Sequence, residues 1–162
     1  MNHITLRLAE PSDAPGIHEA HMTSIREICV HDHGKDEIKG WGYREMGNRW
    51  DAHISNHEVW VIEQNGKVEG FSCLHKLSEE RSVIFGLYLT PKVISRGLGK
   101  SLMNIMLNKA KEQGVREIIL NSTITARTFY YKFGFQDTGP CYKVNIGGYP
   151  VTAFPMKFLV DH

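Results

Sequence analysis

The sequence predicts a mixed α/β domain: a mostly antiparallel central sheet of about six to seven strands with helices on both faces. Three observations carry that prediction. Three apolar strands follow one another between residues 58 and 89, the first two joined by Asn65-Gly66, the strongest short-range hairpin signal a sequence offers. A strand, a glycine-bearing turn, an amphipathic helix and a second strand then fill 82–121, about the length that a right-handed crossover between parallel strands needs. The flanks alternate helical and strand periodicity without an internal repeat, a low-complexity tract or a linker, so 1–162 reads as one domain.

The elements follow in order. Ile4, Leu6 and Leu8 alternate with Thr5 and Arg7 as a half-buried strand. Ser12 is the expected N-cap of a first helix, which carries Ile17, Ala20, Ile25 and Ile28 on one face and ends near His31 to Gly34. Ile38, Trp41 and the run from Trp50 to Ile54 suggest further short helices. Strands are expected over 58–63, 68–74 and 82–89, flanking Asn65-Gly66 and then continuing the meander. Leu98, Leu102, Ile105, Met106 and Ala110 form the apolar face of a helix that Gly114 stops. A short strand over 117–121, a helix over 125–132 closed by Gly134, and a last pair of strands around 142–144 and 152–158 complete the chain.

Composition bounds the function classes. With 162 residues, 41% of them hydrophobic, the chain builds a continuous core without disulfides or metals. Nineteen lysines and arginines against 18 acids leave a net charge of +1, with no broad basic field for nucleic acid or a membrane surface. Cys29, Cys73 and Cys141 lack CxxC spacing and read as reduced, mostly buried thiols of a cytoplasmic protein. Residues 1–10 show no basic segment followed by an apolar run, and no uncharged apolar stretch approaches about 20 residues. Neither secretion nor a membrane span is expected. Exposed edge strands leave a homodimer open.

The stretch richest in chemistry is Leu87-Tyr88-Leu89-Thr90-Pro91, followed by Ile94-Ser95-Arg96-Gly97-Leu98-Gly99-Lys100-Ser101. A strand passing through bare backbone into a helix start aims unpaired N–H groups at one spot in the positive field of the helix dipole, which is an anion cradle. Glycines in such a turn also serve purely conformational ends, so the turn alone does not decide. It is not a P-loop, because Ile94 stands where the first glycine would be, and not a dinucleotide fingerprint, because Leu102 stands where the third would be.

These residues, taken with Ala126-Arg127-Thr128-Phe129-Tyr130-Tyr131-Lys132-Phe133-Gly134-Phe135, resemble the GNAT-type N-acetyltransferase superfamily, most strongly over 82–135. In that family a Leu-Tyr-Val-x-Pro strand leads to Q/R-x-x-G-x-G/A, and Ala-x-x-Phe-Tyr-x-Lys-x-Gly-Phe follows. Two positions depart from the pattern: Ile94 replaces the usual Gln or Arg, and Thr123 replaces an asparagine three residues before the alanine. Backbone amides survive the first change, and Thr123 or Thr125 offers a hydroxyl after the second.

The resemblance implies a GNAT-like fold, acetyl-coenzyme A (acetyl-CoA) as co-substrate and direct attack by an amine-bearing acceptor. It implies that Tyr88 and Leu89 hold the pantetheine arm, that the Leu89 N–H bonds the developing oxyanion, that residues 94 to 100 take the pyrophosphate, and that Leu87 and Ser101 complete the cofactor-binding set. Tyr130 matches the family tyrosine that protonates the departing sulfur; read without the motif it would be a core tyrosine beside Phe129. His75 is the nearest candidate for a base, with a surface role as its alternative. His53 and His57, and Cys29, His31 and His33, lack the partners of a metal set, so no metal is expected. With Trp41 and Trp50 they fall in the region that lines the acceptor side in the family. A catalytically inactive CoA-binding regulatory module is the alternative function, suggested by Ile94 and by the absence of a carboxylate from 82–86.

Overall fold

Asn65 and Gly66 both take positive φ, 53° and 83°, in the computed structural model, which describes residues 3–162. Their turn closes the expected hairpin between β2 (Glu58–Gln64) and β3 (Lys67–Lys76). β1 (Ile4–Leu8) adds to the free edge of β2, and β4 (Arg81–Leu89) pairs antiparallel with β3. From β4 the chain crosses through α4 (Leu98–Glu112) to β5 (Glu117–Ser122), which lies parallel to β4. After α5 (Arg127–Phe133) come β6 (Gln136–Asp137), β7 (Tyr142–Ile146) and β8 (Tyr149–Leu159). The sheet order is β1-β2-β3-β4-β5-β8-β6, with β7 on the first part of β8. The described residues hold eight strands where six to seven were expected; β6, at two residues, is too short to show a period.

Helices cover both faces. α4 and α5 bury Met103, Met106 and Tyr130 against Leu74, Ile84, Ile118 and Leu120. On the other face α1 (Ala14–Ser24) and α3 (Arg49–Asn56) bury Ile17, Ala20 and Trp50 against Val59, Val61 and Phe71. Each fully buried aliphatic side chain contributes roughly 1.5–3 kcal/mol. Among the described residues no helix is long and apolar enough to cross a membrane.

The N-terminal helical region departs from the sequence reading in detail. Ser12 is exposed and caps nothing; the helix is entered through a 3₁₀ turn, Pro11–Asp13, where the Glu10 N–H donates to Asp13 Oδ2 at 2.7 Å. An ionised carboxylate is the stronger acceptor, and Arg7 fixes it with two bonds of 2.8 and 3.0 Å. Next, α1 widens into a π turn over Ile25–Cys29 before α2 (Val30–Trp41), which Gly34 breaks. α2 is tied to the far end of the sheet by Glu37, which accepts from the Thr152 N–H, the Thr152 hydroxyl and Lys143 Nζ.

Candidate active site

Beyond the pair Ile84–Leu120 the two parallel strands part. The cause lies in β4. Leu74 faces Ile84 and Ser72 faces Leu87, so Phe85 and Gly86 together stand against Cys73 as a bulge. Gly86 holds φ 131°, where an added Cβ would sit 2.5 Å from the Tyr88 ring. Ser72 pins the bulge by donating its hydroxyl to the Gly86 carbonyl at 2.7 Å. Further along, the Thr90 N–H donates to the Glu69 carbonyl at 2.9 Å. Successive amides of a strand point to opposite edges, so the N–H groups of Leu87 and Leu89 face the gap that β5 has left.

A cleft of about 450 Å³ opens there. Leu87, Tyr88 and Leu89 form one wall, Ile94, Ser95, Gly97, Gly99 and Lys100 one end, and Thr123 and Thr125 the opposite wall. Ten of the residues expected from sequence therefore meet at one place. Four do not line it. Arg96 opens on a neighbouring groove with Lys67 and Lys92, Leu98 is half-buried, and Ser101 is exposed with its hydroxyl on the Gly97 carbonyl at 3.3 Å. Tyr130 is buried behind the cleft, 3% exposed, with ring centroids 5.6 Å from Phe129 and 5.5 Å from Phe135. Burial pushes its hydroxyl well above the usual phenol range.

The polar groups of the cleft divide into used and free. The Ile94 N–H is already spent on the Thr90 carbonyl at 3.1 Å. Thr123 Oγ1 accepts the Ala126 N–H at 3.0 Å in the turn just before α5. Thr125 Oγ1 is buried, with the Cys29 thiol as its weak partner. Gly97, in the left-handed region at φ 76°, precedes α4 with no side-chain cap, and a Cβ on it would meet nothing within 4 Å. The first amides of α4 thus stay open to a ligand.

Sequence reasoning missed part of the lining. Ser24 reaches the cleft from the end of α1, Ile28 and Cys29 from the π turn, Ala126 from just before α5, and Phe129 and Lys132 from α5. The motif around Tyr130 pointed at the α5 residues; a π turn leaves no periodic signal. Burial pushes the Cys29 thiol up to about 11, against the pull of the Thr125 hydroxyl.

His75, the candidate base, is elsewhere: it pairs with Val83, six positions before Leu89 and so about 20 Å along the strand. Its ring lies 3.5 Å from that of His57, with His53 a further 6.0 Å on. Cys29, His31 and His33 do not converge either. His33 is buried and bonds Glu37 at 2.8 Å, whereas His31 is exposed. Among the described residues no three His, Cys, Asp or Glu side chains are arranged to hold a metal.

Comparison with known proteins places this geometry. Residues 29–159 match the family model of the acetyltransferase (GNAT) domain. Over all 162 residues the chain is 24% identical to the uncharacterized N-acetyltransferase YafP of Escherichia coli (strain K12), with 100% of both chains covered. It is 36% identical over 107 residues to the peptidyl-lysine N-acetyltransferase YiaC of the same organism, a match spanning 60% of this chain and 61% of that one. The crystal structure of PaiA N-acetyltransferase from Thermoplasma acidophilum in complex with coenzyme A superimposes with a TM-score of 0.76 at 18% identity, covering 97% of this chain and 99% of that one. At that identity the likeness is one of fold.

Proposed function

The chain belongs to the GNAT acetyltransferase family, and from that premise we propose that its cleft binds acetyl-CoA and that its acetyl group passes to a primary amine. The observation that carries this reading is the unpaired edge of β4 at Leu87 and Leu89, facing a cleft that runs to the uncapped start of α4. The cleft's chemistry fits the co-substrate. Open amides and Lys100 suit a diphosphate, the free strand edge suits the amides of a pantetheine arm, and the buried Thr125 hydroxyl, held only by a thiol, suits one further polar contact. That the PaiA enzyme was solved with coenzyme A supports the same assignment.

Acetyl-CoA supplies the acetyl group as a thioester: the amine nitrogen bonds the carbonyl carbon, the carbon–sulfur bond breaks, and the ammonium proton is lost. In this proposal the Leu89 N–H bonds the carbonyl oxygen as it gains charge, a preorganised donor of the kind whose loss typically costs about 3 kcal/mol. Tyr130 gives its proton to the sulfur. Burial raises its hydroxyl, so it keeps that proton through the neutral and mildly alkaline range. No carboxylate or imidazole of the described residues lines the cleft, so the amine gives up its proton to water. The free state of all three cysteines supports a cytoplasmic setting.

Thiol release from acetyl-CoA across a panel of amines tests the proposal. We expect turnover with at least one primary amine, and Tyr130→Phe should lower kcat about 100-fold while the KM for acetyl-CoA stays unchanged. Unchanged kcat in Tyr130→Phe would remove Tyr130 from the chemistry, and no turnover with any amine would remove the activity.

A further inference from the structure

Behind Tyr88 the fold gathers positive charge that the chain does not neutralise. His18 and His21 stand one turn apart on α1, Arg44 lies on the loop between α2 and α3, and Arg49 begins α3. Arg49 Nη2 donates to His18 Nδ1 at 3.1 Å, which makes His18 neutral, and the same ring hydrogen-bonds the Arg44 backbone. Arg44 is steadied by a 3.0 Å bond from its Nε to the Trp41 carbonyl. Both arginines are half-buried. Burial lowers both, Arg44 to about 10, with the charge of Arg49 adding to the effect on Arg44.

Elsewhere this chain answers such a charge at once: Arg7 meets Asp13 at 2.8 Å and Glu63 at 2.9 Å. No carboxylate among the described residues acts on Arg44 or Arg49. Two buried nitrogens in this cluster also lack partners. Arg49 Nε is buried without a partner, and so is Nδ1 of His21, a residue only 8% exposed. The His21 ring is held between Tyr88, Phe71 and Trp50 at 4.4, 5.4 and 5.9 Å. Tyr88 joins this cluster to the cleft: its phenol lies within electrostatic reach of both guanidinium groups, while Tyr88 also lines the cleft wall.

Two like charges partly removed from water, with no carboxylate answering either, are a configuration that an anion relieves. We propose that Arg44 and Arg49 bind the carboxylate of the acceptor, so that the substrate is a small amino-acid-like amine whose nitrogen reaches the cleft at Leu89 while its acid group lies behind Tyr88. The inference rests on the acetyltransferase reading above and names the acceptor class for it. A carboxylate matches the forked geometry of guanidinium, and both arginines keep part of their surface open to a ligand.

The test compares matched acceptors: amino acids against the amines left when their carboxylate is removed, and against a lysyl peptide without acidic residues. The acid member should be preferred at least 100-fold in kcat/KM. Arg49→Gln should shrink that preference to about threefold, through the acceptor KM, with the KM for acetyl-CoA unchanged, and Arg49→Lys should restore part of it. Arg44→Gln serves as the second variant, and urea unfolding checks that each variant folds. Equal or better use of the decarboxylated amines or of the peptide overturns the proposal, as does a preference that survives both substitutions. If no amine turns over, calorimetry on the CoA-saturated protein decides separately. Binding of N-acetyl amino acids but not of their primary amides upholds the anion site even as the acetyltransferase reading falls; no binding of either sinks the site.

Discussion

One imidazole joins three parts of this molecule. His33 Nε2 accepts the Ile124 N–H at 3.0 Å, so the ring proton sits on Nδ1 and is donated to Glu37 at 2.8 Å. Ile124 lies between Thr123 and Thr125 in the cleft wall, and Glu37 also takes the Thr152 amide, so α2, β8 and the wall share one network. Burial alone would raise the Glu37 carboxyl; bonds from Thr152, His33 and Lys143 instead hold it down at about 2, against an ordinary 4.5. A carboxyl lower in the folded than in the unfolded chain stabilises fully above the unfolded value, and that contribution fades as pH falls from 4.5 towards 2. Glu37→Gln should therefore lower stability by about 1–3 kcal/mol at neutral pH. In urea titrations the gap between wild type and variant should close between pH 4.5 and 2. A gap that is constant across that range would contradict this role. Nothing local announces the network, because Glu37 and Thr152 are 115 positions apart.

At the scale of elements, the bulge in β4 makes the site. Without it the parallel ladder would run on from Ile84–Leu120 to the end of β5 at Ser122, and the strands would not part where they do. Gly86 is the residue that permits it, since a side chain at φ 131° is strained and would strike the Tyr88 ring. Gly86→Ala should destabilise the fold by about 1–3 kcal/mol and lower kcat/KM more than tenfold, read by urea unfolding and thiol release on the same preparation. A variant of native stability and full activity would show that the bulge does not shape the cleft. The sequence carries the hairpin, the crossover and the glycine-bearing turn plainly, because each is a local pattern of turn chemistry and period. It does not carry the π turn over Ile25–Cys29, whose composition is that of any helix, nor the two-residue β6. Ser12 misled because a hydroxyl cap was weighed without Arg7, which the fold brings to Asp13.

For the whole molecule, legibility follows the same line. Leu87, Tyr88, Leu89, five of the residues from Ile94 to Lys100 and the two threonines meet in the cleft because they bracket one strand–helix–strand crossover, while Arg96 and Leu98 do not line it. The acceptor side we propose, built from α1, the loop after α2 and the start of α3, joins segments that only the tertiary fold brings beside Tyr88. Tyr130 shows the two kinds of information meeting: the motif singles it out, and packing places it behind the lining rather than on it. The parting of β4 and β5 beyond Ile84 and Leu120 opens the cleft in which we propose that acetyl-CoA lies. The most direct measurement is coenzyme A titration followed by calorimetry and by amide NMR. One coenzyme A should bind per chain, with the Leu89, Gly97, Gly99 and Thr125 amides shifting. No heat and an unmoved spectrum would contradict the account.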